Sequence, residues 1–122
     1  MDRQPETFSD WRGTIRRMEV DGIKFNVLTT KKGALRSGDL HPNTQFNIIL
    51  AGAFELTLRQ NDKDVVVRKE PGELIIIPPK TPHLYRCLED SVMLEWWDGQ
   101  FSMEYYPPYR KFVEEQFKNH KK

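Results

Sequence analysis

Turn signals recur every few residues from Gly13 to Gly99, which leaves room for short strands between them. Asp21-Gly22 is a two-residue hairpin signal that tolerates positive φ at both turn positions, and residues 14–20 and 23–30 flank it. Ile23, Phe25 and Val27 alternate with Lys24 and Asn26, and Phe54, Leu56 and Leu58 alternate with Glu55, Thr57 and Arg59. Residues 45–50, 65–68, 74–77, 83–88 and 92–97 bring the total to about eight strands, with turns placed at Ala51-Gly52, 61–64, 70–72, 78–82 and Glu89-Asp90. The pattern predicts an all-β, antiparallel sandwich or barrel. The period changes after Pro107-Pro108. Tyr109, Phe112, Val113 and Phe117 then fall on one face of a short C-terminal α-helix, which closes an open end of the barrel or packs on a partner subunit.

At 122 residues the chain makes one domain, read as an N-terminal arm over 1–13, a barrel over about 14–98, and a C-terminal segment with its helix over 99–122. Nineteen Lys+Arg face 18 Asp+Glu, so there is no cationic excess to neutralise phosphates, and nucleic acid is not an expected partner. The basic pairs Arg16-Arg17, Lys31-Lys32 and Lys121-Lys122 are scattered and are read as solvated positions. No apolar run approaches the ~18 residues of a membrane helix, so no membrane partner is expected. Residues 1–10 are polar and Cys87 is the only cysteine, which points to a reducing, cytoplasmic setting without an intrachain disulfide or multi-cysteine metal site.

Histidine is scarce. His120 falls in a Lys-rich tail read as mobile, leaving His41 and His83. In an extended strand through residues 39–47, Asp39, His41, Gln45 and Asn47 share one face, because side chains alternate with period two. The opposite parity, Phe46, Ile48 and Leu50, is apolar and suits burial against another layer or subunit. His83 follows a Pro-rich turn, with Tyr85 and Cys87 on its own parity.

This spacing resembles the cupin superfamily, and in particular its small, single-domain RmlC-like jelly-roll barrels. The first family motif is Gly, five residues, His-x-His, three or four residues, Glu, six residues, Gly; here Gly33, Asp39-Leu40-His41, Gln45 and Gly52 hold that spacing. The second is Gly, five residues, Pro-x-Gly, two residues, His, three residues, Asn; here it runs Gly72, Pro78-Pro79-Lys80, His83, Cys87. The resemblance implies a jelly-roll barrel, a homodimer and a divalent metal, Fe, Mn, Ni or Zn, whose four ligand positions correspond to Asp39, His41, Gln45 and His83. Only the two histidines keep the family's residue type, and Lys80 and Cys87 replace the Gly and Asn of the second motif.

Three chemistries compete for this constellation. Asp39, His41 and His83 form a two-histidine, one-carboxylate set with Gln45 as a weak fourth ligand, suited to a metal-dependent oxygenase, isomerase or lyase acting on a small organic molecule. Alternatively Asp39 turns to solvent, the metal is lost, and the barrel is a non-catalytic ligand-binding or regulatory module. In the third, the cluster is a hydrogen-bonding floor for an organic ligand, with Asp39 and His41 as an acid–base pair, as in the sugar epimerases of the superfamily, where Tyr85 would be the partnering tyrosine. Tyr85 is either a proton donor or a buried tyrosine with a satisfied hydroxyl, and Cys87 a ligand, a nucleophile or an inert thiol. Glu95 is a general base or extra ligand if its parity faces inward and a surface charge if outward. Trp96, Trp97, Phe101, Tyr105 and Tyr106 are candidates for the pocket mouth.

Overall fold

A computed structural model describes residues 3–120, with strands β1 (Arg3–Asp10), β2 (Gly13–Val20), β3 (Ile23–Thr30), β4 (Leu35–Leu40), β5 (Gln45–Gln60), β6 (Lys63–Lys69), β7 (Leu74–Ile77), β8 (His83–Trp97) and β9 (Glu104–Tyr105), then helix α1 (Pro107–His120). Lys121-Lys122 lie outside the described residues. All strand pairings are antiparallel: β1-β2-β3-β8-β4-β9 run side by side, while β5 pairs with β6, β7 and β8 and curls the sheet into an open barrel. The Asp21-Gly22 hairpin forms as predicted, with both residues at positive φ. Of the arm read over residues 1–13, residues 1–2 lie outside the described residues and the rest contributes β1, which is paired along β2.

Two expected turns are absent. Ala51-Gly52 and Glu89-Asp90 lie inside strands of 16 and 15 residues, β5 and β8, which pair with each other through register shifts between Ile49 and Phe54. Both strands carry their irregularity at the same level, so they bend together and stay paired around the barrel corner. The concave face holds Leu28, Ile49, Phe54, Leu56, Ile75, Ile77, Tyr85, Cys87 and Met93 in one cluster. Ile49, Phe54 and Leu56 are fully buried, each stabilising the fold by roughly 1.5–3 kcal/mol.

β4 decides where the site lies. Arg36 stands opposite Tyr85, Ser37 opposite Leu84, and Asp39 opposite His83, so Gly38 is an extra residue with no partner on β8. Cross-strand partners share a face. Without that bulge the alternation that turns Arg36 inward would turn Asp39 outward; the extra residue brings Asp39 onto the face of His83. Ser37 and Gly38 carry the distortion at φ 79° and 74°.

Helix α1 lies along β4 through Tyr109 and Val113. Gln116 ties the two together: its Oε1 accepts from Leu35 N at 2.8 Å and its Nε2 donates to Gly33 O at 2.8 Å. The predicted apolar face is therefore rotated, with Phe112 left 43% exposed and Gln116 in the seam. His120 is the last helical residue rather than part of a loose tail, and its ring stacks on Trp11 with centroids 3.6 Å apart.

Candidate metal centre

Asp39, His41 and His83 bring three ligand atoms within 4.8 Å of one another. Asp39 reaches the centre by the β4 bulge, His41 by the next inward position, and His83 as the first residue of β8. The turn at residues 42–44 is held by Asp98 N donating to Thr44 O at 2.9 Å and Asn43 Nδ2 donating to Asp98 O at 2.6 Å. This turn separates Asp39 and His41 from Gln45 and Asn47, so no single extended strand runs through residues 39–47, yet His41, Gln45 and Asn47 are all buried on the inside.

The tautomers follow from the partners. His41 Nδ1 lies 2.9 Å from Ser102 O and His83 Nδ1 lies 3.0 Å from Thr81 O. A carbonyl only accepts, so in each ring Nδ1 carries the hydrogen and Nε2 presents a lone pair. Burial holds both rings neutral, lowering His41 and pushing His83 down to about 4. Asp39 Oδ1 sits 3.2 Å from His83 Nε2 and 3.6 Å from His41 Nε2. Burial pushes the Asp39 carboxyl up to about 7, against the opposing pull of Arg110. Three acceptor atoms thus converge without a donor, and Asp39 Oδ1 and His83 Nε2 are buried and without hydrogen-bond partners. Such a cluster is satisfied by a shared proton or by a cation.

Next to it lies a polar relay. Gln45 Nε2 donates to Asn47 Oδ1 at 2.8 Å and approaches Glu95 Oε2 at 3.4 Å, and Tyr85 Oη donates to Asn47 Oδ1 at 2.9 Å. Glu95 stands opposite Asn47 on β5 and Asn26 on β3, which puts it on the inner face; Asn26 Nδ2 donates to its Oε1 at 3.1 Å, and burial raises its pKa. Gln45 Oε1 and Asn47 Nδ2 are buried without partners. Tyr85 is buried, its hydroxyl is engaged, and burial raises it well above its ordinary value. Cys87 belongs to the core cluster instead, its Sγ 2.8 Å from Glu89 O, and burial raises the thiol pKa.

The aromatic stretch divides. Trp97 and Phe101 pack on His41 with centroids at 5.2 and 5.5 Å and also line a cavity of about 600 Å³. Trp96 stacks on Phe46 on the convex face, and Tyr105 and Tyr106 pack against Arg110 and Tyr109. Sequence reasoning missed the Gly38 bulge, the Ser102 and Thr81 carbonyls, and Asn26. The carbonyls leave no mark in side-chain identity. Asn26 left a signal in the β3 alternation, whose polar parity is the inner one.

The cupin domain family matches residues 26–98. No curated protein matches the sequence. Among solved structures, a variant of oxalate decarboxylase from Bacillus subtilis is similar at TM-score 0.72 and 20% identity, over 80% of this chain and 28% of that one. Another structure of that enzyme, from work on its Mn(II) centres, aligns at TM-score 0.70 with 20% identity over the same shares, 80% and 28%. The capsular polysaccharide assembling protein CapF from Staphylococcus aureus aligns at TM-score 0.68 and 17% identity, over 84% of this chain and 32% of that one. The chain thus spans about a third or less of these neighbours' length. With a family match over more than half its length and the curled antiparallel sheet that match implies, the chain belongs to the cupin domain family.

Proposed function

We propose that the protein is a metal-dependent enzyme of oxygenase, isomerase or lyase type acting on a small organic molecule inside the barrel. The observation that carries this reading is the convergence of Asp39 Oδ1 with two histidine Nε2 lone pairs, with no donor among them. Ligand atoms about 2.0–2.2 Å from a shared ion stand roughly 3–4 Å from each other, and the Asp39–His distances of 3.2 and 3.6 Å fit that spacing. Asp39, His41 and His83 would hold the ion, and the unpartnered Gln45 Oε1 supplies a neutral fourth oxygen. A bound divalent ion would act as a Lewis acid on a carboxylate or carbonyl oxygen. Two histidines and one carboxylate suit Fe, Mn or Ni better than a structural zinc, and the Mn(II) centres of oxalate decarboxylase make Mn the first metal to try.

The chain's own groups do the rest. Thr81 and Ser102 fix the ring tautomers. Glu95, its pKa raised by burial and its carboxyl steadied by Asn26, stands close to Gln45 and serves as the general acid or base. Tyr85 positions Asn47 through its hydroxyl.

The exposed Leu50, Leu74 and Ile76, next to Phe46 and Trp96 on the convex face, support a homodimer. Among the described residues no helix is long and apolar enough to cross a membrane. The lone buried thiol of Cys87 fits a reducing, cytoplasmic compartment.

The test is thermal denaturation of chelator-stripped, untagged protein with Mn, Fe, Ni or Zn added. At a concentration about 100 times Kd, an ion stabilises the fold by about 2.7 kcal/mol. A rise in Tm that His83→Ala abolishes supports the reading. No rise with any metal would leave Asp39 and His83 sharing a proton in a metal-free ligand-binding barrel.

A further inference from the structure

The cavity beside the centre carries charges that the centre does not use. Its walls include Arg17, Lys24, Asn26, Trp97, Gln100 and Phe101. Strand register puts Arg17 opposite Asn26 and Asn26 opposite Glu95, with Lys24 two residues from Asn26 on the same parity. Both cations therefore share the parity of Asn26 and are exposed at the cavity, and Met18 and Phe25, of the opposite parity, line it as well. The Arg17 guanidinium carbon lies 4.8 Å above the Phe8 ring. Among the described residues, neither Arg17 nor Lys24 forms an ion pair. Glu19, opposite Lys24, also lines the cavity, and Glu6 stands opposite Arg17 on β1 outside that lining; among the lining residues two cations against one anion leave a net positive charge.

Two aromatic rings supply apolar lining. Trp97 and Phe101 meet edge to face with centroids 4.6 Å apart. Trp97 Nε1 is buried without a partner, which adds a donor needing an acceptor. A neutral sugar would leave the net positive charge of the lining uncompensated, and a simple inorganic anion would leave the ring wall bare.

We propose that this cavity binds an organic carboxylate with a flat, unsaturated body, its carboxylate held by Arg17 and Lys24 and its body against Trp97 and Phe101. Because both rings also pack on His41, the far end of such a molecule adjoins the metal centre. The inference rests on the proposed function in making this anion the substrate class of that centre; as a statement about binding it stands alone.

The experiment is calorimetric titration of the full chain with benzoate, benzamide, acetate and methyl glucoside, with and without Mn(II). Benzoate is expected to bind saturably, and benzamide, which lacks the charge, and acetate, which lacks the ring, each about tenfold or more weakly, a factor that corresponds to about 1.4 kcal/mol. Arg17→Gln weakens benzoate by about tenfold, and Lys24→Gln weakens it by less, with Tm unchanged because both side chains are exposed. His83→Ala leaves benzoate binding intact even where it removes metal binding, which separates failure of this inference from failure of the metal reading. Benzamide equal to benzoate, methyl glucoside bound in its place, or Arg17→Gln without effect would each overturn the proposal. So would benzoate lost in His83→Ala and kept in Arg17→Gln, since the anion would then sit at the metal centre.

Discussion

Substituting Gly38 separates the cost of a strained backbone from the cost of a steric clash with helix α1. Gly38 sits at φ +74°, and a Cβ there would lie 2.8 Å from Arg110 Cα and 3.0 Å from Arg110 N, both backbone atoms of α1. An alanine pays about 1–2 kcal/mol for the left-handed conformation and a further 1–3 kcal/mol or so for forcing the helix away. Gly72 is the control, at φ +88° with nothing within 4 Å of its added Cβ, so only the first term applies. At about 4 °C per kcal/mol for a chain of this size, Gly38→Ala lowers Tm by about 8–20 °C and Gly72→Ala by about 4–8 °C. Calorimetry of the two variants measures this directly. The bulge also turns Asp39 inward, so Gly38→Ala should lose the metal-induced rise in Tm that Gly72→Ala keeps. Equal losses in the two variants, or an undiminished metal response in Gly38→Ala, would refute the assignment of Gly38 as the residue that aims Asp39.

Other perturbations follow from the site. The folded pKa of Asp39, about 7 without metal, exceeds its unfolded value of roughly 3.9, so the folded chain binds the extra proton between those values. Its contribution is fully present at low pH and lost as pH rises through 7. Metal-free Asp39→Asn therefore gains Tm over the parent as pH goes from 5 to 8; a difference that does not grow over that range contradicts the buried carboxyl. For the same reason, Mn(II) binding at pH 6 should release about one proton per ion, read by calorimetry in buffers of different ionisation enthalpy. Tyr85→Phe removes a single hydrogen bond and leaves Asn47 Oδ1 with Gln45, a loss of about 1 kcal/mol in urea denaturation. Gln116→Ala deprives Leu35 N and Gly33 O of their partners and should cost about 1–3 kcal/mol by the same assay.

The barrel was legible because burial imposes a period of two on its strands, and β3 and β7 fall where the alternation and the turn residues put them. The long strands were not, because a corner at which two paired strands bend together reads locally as two turns. At the site, motif spacing picked out Asp39, His41, Gln45 and His83, and inner-face parity linked Gln45 with Asn47. It left the orientation of Asp39 open, because a one-residue bulge inverts parity and Ser37-Gly38 looks like any polar turn. Glu95 was undecided for a related reason: residues 92–97 are mostly apolar on both parities, and only pairing with Asn26 and Asn47 fixes its side. The groups that set the histidine tautomers are backbone carbonyls, which no residue type announces.

The central claim, that Asp39, His41 and His83 form a metal centre, is tested most directly by elemental analysis of untagged protein purified without chelator. The account predicts about one equivalent of divalent metal per chain, lost in both His41→Ala and His83→Ala while each variant remains folded. Metal absent from the parent protein, or retained undiminished in both variants, would contradict it.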